Sequence, residues 1–146
     1  MRVDFYQLSR DPVERVTKML ARKVIGVGAR LLIVHEEAEI RGNISRELWR
    51  AGEEEFLANG GASDAGAERQ PILLSSTMDA VNQASMVILA DGKWRSEAMK
   101  FDRAMLLFGA GETEAARVLW RELDGVAEVE REIHKQDESG RWRAGV

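Results

Sequence analysis

Four short apolar runs constrain this chain more than any other feature: RLLIVH at residues 30–35, PILLS at 71–75, MVILAD at 86–91 and AMLLF at 104–108. In each the apolar residues are continuous and do not alternate with polar ones, the pattern of strands buried on both faces. Turn signals such as Asp91-Gly92 bound the runs. An earlier segment, VDFYQL at 3–8, alternates in part and reads as a first strand. A sheet whose strands are hidden on both sides needs helices above and below it.

The intervening segments supply those helices. Val13, Val16, Leu20 and Val24 recur at helical spacing, leaving Arg15, Lys18 and Arg22 for solvent. Asp11, Pro12 and Glu14 form a capping-box pattern at the start of this helix, and Gly26 and Gly28 mark its end. Residues 36–58 read as one or two helices through Ile40, Ile44, Leu48, Phe56 and Leu57, with a break at Gly52. Residues 59–69, NGGASDAGAER, hold no large apolar side chain and are expected to form a flexible loop. A last helix runs from about Thr113 to Asp124, closed by Gly125. From Val126 to residue 146 the pattern fits either a helix, through Val126, Val129 and Ile133, or a strand, through Ala127, Val129, Arg131 and Ile133. The order β-α-β-α-β-β-β-α predicts one α/β domain over residues 1–146, a three-layer sandwich around a mainly parallel sheet.

Composition narrows the chemistry. With no cysteine and only His35 and His134, the chain offers no disulfide, no thiol nucleophile and no ordinary zinc ligand set. The net charge of -4 argues against direct nucleic-acid binding. No apolar run reaches the roughly 20 residues of a membrane span, and MRVDFYQLSRDP is too polar for a signal peptide, so a soluble cytoplasmic protein is expected. Tryptophan is as frequent as phenylalanine, at four residues each, and tryptophan is a favoured anchor for partners.

Two glycine pairs test a nucleotide-binding alternative. Gly26 and Gly28 precede a strand, the reverse of a phosphate-binding turn. Gly109 and Gly111, in LFGAGETEAA, lie correctly between a strand and a helix, and a small nucleotide-binding α/β enzyme would use this turn. Against it, Glu112 and Glu114 would face the phosphate without a lysine, and no GKS or GKT sequence exists. The acids Asp4, Glu36, Glu37, Asp79, Asp91 and Asp102 lie near strand ends, but none sits in a local pattern with a second catalytic group. The run Glu53, Glu54 and Glu55 reads as a solvated helix start, and His35 as a satisfied strand-end histidine.

The last helix says more. Ala116, Leu119 and Leu123 form a stripe toward the sheet, with Trp120 at its border and Arg117 and Arg121 on the wetter side. Two guanidiniums beside an indole suit a short acidic peptide that ends in an apolar side chain and a free carboxylate. The alternative is that Trp120 completes the core while the arginines pair with Glu114 or Glu122. Trp49 and Phe56 are either core anchors or an interface patch. Trp142, between Arg141 and Arg143, either tethers the tail or meets a partner, and Trp94 has no assigned role.

The ordered set Phe5-Tyr6, GARLLI at 28–33, Leu48-Trp49, FLANG at 56–60, QPILLSS at 70–76, Asn82, LADG at 89–92, FDRAMLLF at 101–108, Ala116-Arg117 with Trp120, Gly125 and QDESGRW at 136–142 resembles the chi subunit family of bacterial DNA polymerase III holoenzyme. The resemblance implies a non-catalytic accessory protein with a nucleotide-binding-like, Rossmann-like fold that uses no nucleotide or other cofactor. It further implies that the protein links the clamp loader to single-stranded DNA-binding protein by gripping that protein's acidic C-terminal tail, and that it binds a psi subunit. Arg117, Trp120 and Arg121 match the family's tail site; Thr113 stands where the family has one of its basic residues. Trp49 and Phe56 match the psi-facing region, and Arg141 and Trp142 are further candidate tail contacts.

Overall fold

The computed structural model describes residues 1–50 and 57–145. Its centre is one open sheet of eight strands in the order β3-β4-β2-β5-β6-β1-β7-β8. The buried runs become its interior: β1 (Arg2–Gln7), β2 (Leu31–Val34), β4 (Ile72–Ser75), β5 (Met86–Leu89) and β6 (Arg103–Phe108). All neighbouring pairs are parallel except β7 (Glu130–Gln136) with β8 (Trp142–Ala144). Leu31, Leu32, Ile33 and Val34 are all 0% exposed, as a non-alternating run demands.

Successive residues of each strand feed two separate cores. On one face, Tyr6, Leu31, Ile33, Ile88 and Met105 meet Val16, Leu20 and Val24 of α1 (Val13–Gly26) and Ile44 and Leu48 of α2 (Ala38–Trp49). On the other, Val3, Phe5, Leu32, Leu89 and Leu106 meet Ala116, Leu119 and Leu123, which belong to α3 (Thr113–Glu122) or follow it directly. Trp94 packs against this second core, which gives it a structural role. The chain is therefore the expected three-layer α/β sandwich, with α1 and α2 on one side and α3 on the other.

Local departures from the sequence reading have physical causes. Pro12, held at φ -69° and ψ 160°, stands at the N-cap of α1 in place of Asp11, which makes no cap. The Asp11 carboxylate instead accepts a hydrogen bond from Gln136 Nε2 at 2.8 Å and faces Arg15 at 3.6 Å. Residues 59–69, expected as a loop, contain the edge strand β3 (Asn59–Gly61) and a 3-10 turn at Ala67–Arg69. Backbone pairing with β4 does there what apolar side chains do elsewhere, and buried Asn59 is fixed by Ser45 Oγ and by the carbonyl of Leu57. The ambiguous tail takes the alternating solution. β7 pairs along β1, β8 folds back on it, and Trp142 packs edge-on to Tyr6 with ring centroids 5.4 Å apart. The expected helix break at Gly52 and the acidic run at 53–55 lie outside the described residues.

Candidate functional site

Where α3 stops covering the sheet, β7 continues outward with its side chains only partly buried. The step between them is a groove of about 560 Å³. One wall is α3, which contributes Thr113, Ala116, Arg117, Trp120 and Arg121, so the basic and aromatic residues singled out on this helix share one cavity. Its floor is apolar, from Phe5 of β1 and Phe108 of β6. The far wall is β7, where Glu132 also reaches the lining beside Arg131, Ile133 and Lys135. Period-2 geometry puts the latter three on one face, in register with Val3, Phe5 and Gln7 of β1.

Trp120 is fixed on two sides. The Phe5 ring meets it nearly perpendicular, with centroids 5.2 Å apart, and the Arg131 guanidinium lies 4.2 Å from its centroid. Arg131 also donates to the Trp120 carbonyl and to Asp124 Oδ1, satisfying a carbonyl near the end of α3. An incoming apolar group therefore meets Phe5, Phe108, Ile133 and the rim of the indole, not an uncovered indole face. Arg117 and Arg121 each stand 3.8 Å from Glu114, with all three side chains about 70% exposed or more. Long, exposed ion pairs of this kind are worth little and yield readily to a bidentate carboxylate. The Thr113 hydroxyl donates to the Gly109 carbonyl at 3.3 Å and adds no charge.

The other sequence candidates fall elsewhere. Trp49 ends α2, whose buried residues join the α1 core, so this 53% exposed indole belongs to the opposite side of the sheet from α3. Phe56 lies outside the described residues. Trp142 packs with Tyr6 on that same opposite side, and Arg141 is exposed in the β7–β8 turn, where its N–H donates to Asp137 Oδ1. Sequence reasoning missed the β7 wall, although the alternation through Arg131 and Ile133 carried the signal.

The strand-end acids are occupied by structure. Asp4 is fully buried and accepts hydrogen bonds from Arg2 Nε at 3.0 Å and Arg103 Nε at 2.6 Å, with His134 Nε2 also 3.0 Å away. Among the described residues, Asp4, Glu132 and His134 are the one group of three potential metal ligands. The two guanidiniums on Asp4, and Arg2 paired with Glu132, make it an ion-pair network. Asp91 binds Arg95 through two contacts at 2.8 and 2.9 Å. Burial alone would raise its pKa; the arginine and the N–H groups of Lys93 and Glu36 outweigh that and hold it below the usual carboxylate range. In the Gly109–Gly111 turn, Glu112 accepts the Gly109 N–H at 3.2 Å. A carboxylate thus fills the position that the nucleotide reading reserved for a phosphate.

Fold and groove define a class: an open, mostly parallel α/β sandwich with a cation-walled, apolar-floored groove beside its last helix. Residues 1–127 match the DNA polymerase III chi subunit, HolC, and the chain belongs to that family. Membership makes it an accessory subunit of a DNA-replicating polymerase assembly. No curated protein matches the chain. No helix among the described residues is long and apolar enough to cross a membrane.

Proposed function

We propose that this chain is a non-catalytic adaptor that receives the acidic C-terminal tail of single-stranded DNA-binding protein in the α3 groove and so links the clamp loader to coated DNA. One observation carries the reading: Arg117, Trp120 and Arg121, singled out from the helical pattern, line a single groove whose floor is Phe5 and Phe108. Guanidiniums at the rim take carboxylates, and the floor takes the terminal apolar side chain. Trp49, exposed on the far side of the sheet, suits a psi-like clamp-loader partner, so both partners can be held at once. The chain makes only indirect contact with nucleic acid, consistent with a net charge of -4.

Titration of the purified protein with a fluorescent acidic peptide ending in Pro-Phe tests this. Each of Arg117→Ala and Trp120→Ala should weaken binding by about 1–3 kcal/mol. Rising salt should weaken it too, since exposed charges are screened over about 8 Å at physiological ionic strength. A peptide bound equally well by the Arg117→Ala, Trp120→Ala double variant would refute the site.

A further inference from the structure

β8 ends the sheet, so its outer edge pairs with no further strand. The Gly145 N–H donates to the Ile133 carbonyl at 2.8 Å, and the Asp137 N–H to the Arg141 carbonyl at 2.9 Å. Arg141, Arg143 and Gly145 are therefore the residues whose backbone bonds run toward β7, and the N–H and C=O groups of Trp142 and Ala144 point outward. The same two residues line a cleft of about 330 Å³ between β8 and α1, with Met19, Lys23, Val27 and Met86 among its other walls. We propose that this edge is a second peptide-binding site, separate from the α3 groove. It takes an internal, extended segment of a partner protein, with alternating apolar and acidic side chains, as one more strand of the sheet.

A strand added to an open edge draws affinity from main-chain hydrogen bonds and specificity from where its alternate side chains fall. Here the two faces of the edge differ. Trp142 and Ala144 line the cleft on the α1 side, while Gly145 lines the α3 groove, so alternation puts Arg141 and Arg143 on the α3 side. Side chains of an added strand that fall on the α1 side meet the cleft, where Val27 is 72% exposed and Met19 and Met86 are only partly buried. Those between them fall beside the arginines. Arg143 is held by Asp137, but the exposed Arg141 guanidinium makes no ion pair with a described residue. Exposed Lys23, on the α1 wall of the cleft, makes none either. Charge complementarity thus selects acids at the alternate positions of the incoming strand. It also opposes a second copy of this chain, since two-fold pairing centred on β8 sets Arg143 against Arg143.

The probe is a short fluorescent peptide of alternating Val and Asp, acetylated and amidated so that it offers the α3 groove no terminal carboxylate, titrated onto the full chain. It should bind, and the Trp142 and Ala144 amides should gain protection from hydrogen exchange. Ala144→Pro removes one outward N–H and leaves the β7 ladder intact, because an edge strand tolerates proline on its solvent side. It should weaken the peptide by about 3–10-fold, the worth of one backbone hydrogen bond. Arg141→Glu, at an exposed position, should weaken the Val-Asp peptide and strengthen a Val-Lys one. A peptide of the same composition in scrambled order should bind more weakly. The proposal is overturned if the parent does not bind the alternating peptide, if the scrambled peptide binds as tightly, or if both variants stay within about 1.5-fold of the parent. It is also overturned if sedimentation shows the parent pairing with itself through β8, or if the Arg117→Ala, Trp120→Ala double variant loses the peptide, which assigns it to the α3 groove. The acidic Pro-Phe peptide tests that groove alone, so either site can fail while the other stands.

Discussion

Arg131 and Trp120 hold each other through two different interactions: the guanidinium stacks 4.2 Å from the indole centroid, and it also donates to the carbonyl of the same tryptophan. The pair ties the end of α3 to β7 across the turn through Gly125. A cation over an indole contributes about 0.5–2 kcal/mol, depending on desolvation. Urea unfolding of Arg131→Ala, Trp120→Ala and the double variant should therefore return a coupling energy of about 0.5–2 kcal/mol. Additive losses would mean that the two residues stabilise the fold independently.

Asp4 should matter more than any surface ion pair. It is 0% exposed, and Arg2, Arg103 and His134 all converge on it from three adjacent strands. Removing one member of a buried charged group typically costs about 3–5 kcal/mol, because the rest are left uncompensated. Here the guanidiniums are 38% and 33% exposed, so water can re-solvate them in part. Asp4→Asn is expected to lose about 2–3 kcal/mol in chemical denaturation. A loss below about 0.5 kcal/mol would show that the buried charge is not needed.

The parts legible in the sequence were those in which a local pattern and the tertiary demand agree. Continuous apolar runs gave β2, β4, β5 and β6, because a strand buried on both faces has no polar side to show. The stripe Ala116, Leu119 and Leu123 oriented α3 and so put Arg117 and Arg121 at the groove. β3 was not legible, since Asn59, Gly60 and Gly61 are ordered by backbone pairing with β4, which leaves no side-chain pattern. The β7 wall was ambiguous because Val126, Val129 and Ile133 satisfy a helical period while Arg131, Ile133 and Lys135 satisfy a strand period. Only the free edge of β1 decides between them. Asp11 shows the remaining limit: its local partner was the helix start, and its actual partner, Gln136, lies 125 residues away.

Gly92 gives a local test of the turn that the nucleotide reading needed. Its φ is +72°, and a Cβ there would lie 2.7 Å from Glu112 Oε1. Gly92→Ala therefore combines left-handed strain, about 1–2 kcal/mol, with a clash. Gly28, at φ +78° with open space around it, carries the strain alone. Thermal denaturation should rank Gly92→Ala below Gly28→Ala, and adding Glu112→Ala to the former should recover part of the gap. Equal losses at the two glycines would place the Glu112 side chain elsewhere.

Tyr6 is the sole tyrosine, so its ionisation can be followed directly by absorbance near 295 nm. Burial, and after it the neighbouring Asp4 carboxylate, push its phenol up to about 12. An unfolded tyrosine titrates near 10. Between these values the folded chain keeps a proton that the unfolded chain has released, so the unfolded state binds fewer protons and stability falls as pH rises. The contribution of Tyr6 is whole below about pH 10 and is lost as pH rises through about 12. The slope reaches at most about 1.4 kcal/mol per pH unit. Tyr6→Phe keeps an aromatic ring against His134 and Trp142 but has nothing to ionise, so its stability should stay flatter over this window. A native-state titration centred near 10 would show that the phenol reaches water, contrary to its 4% exposure.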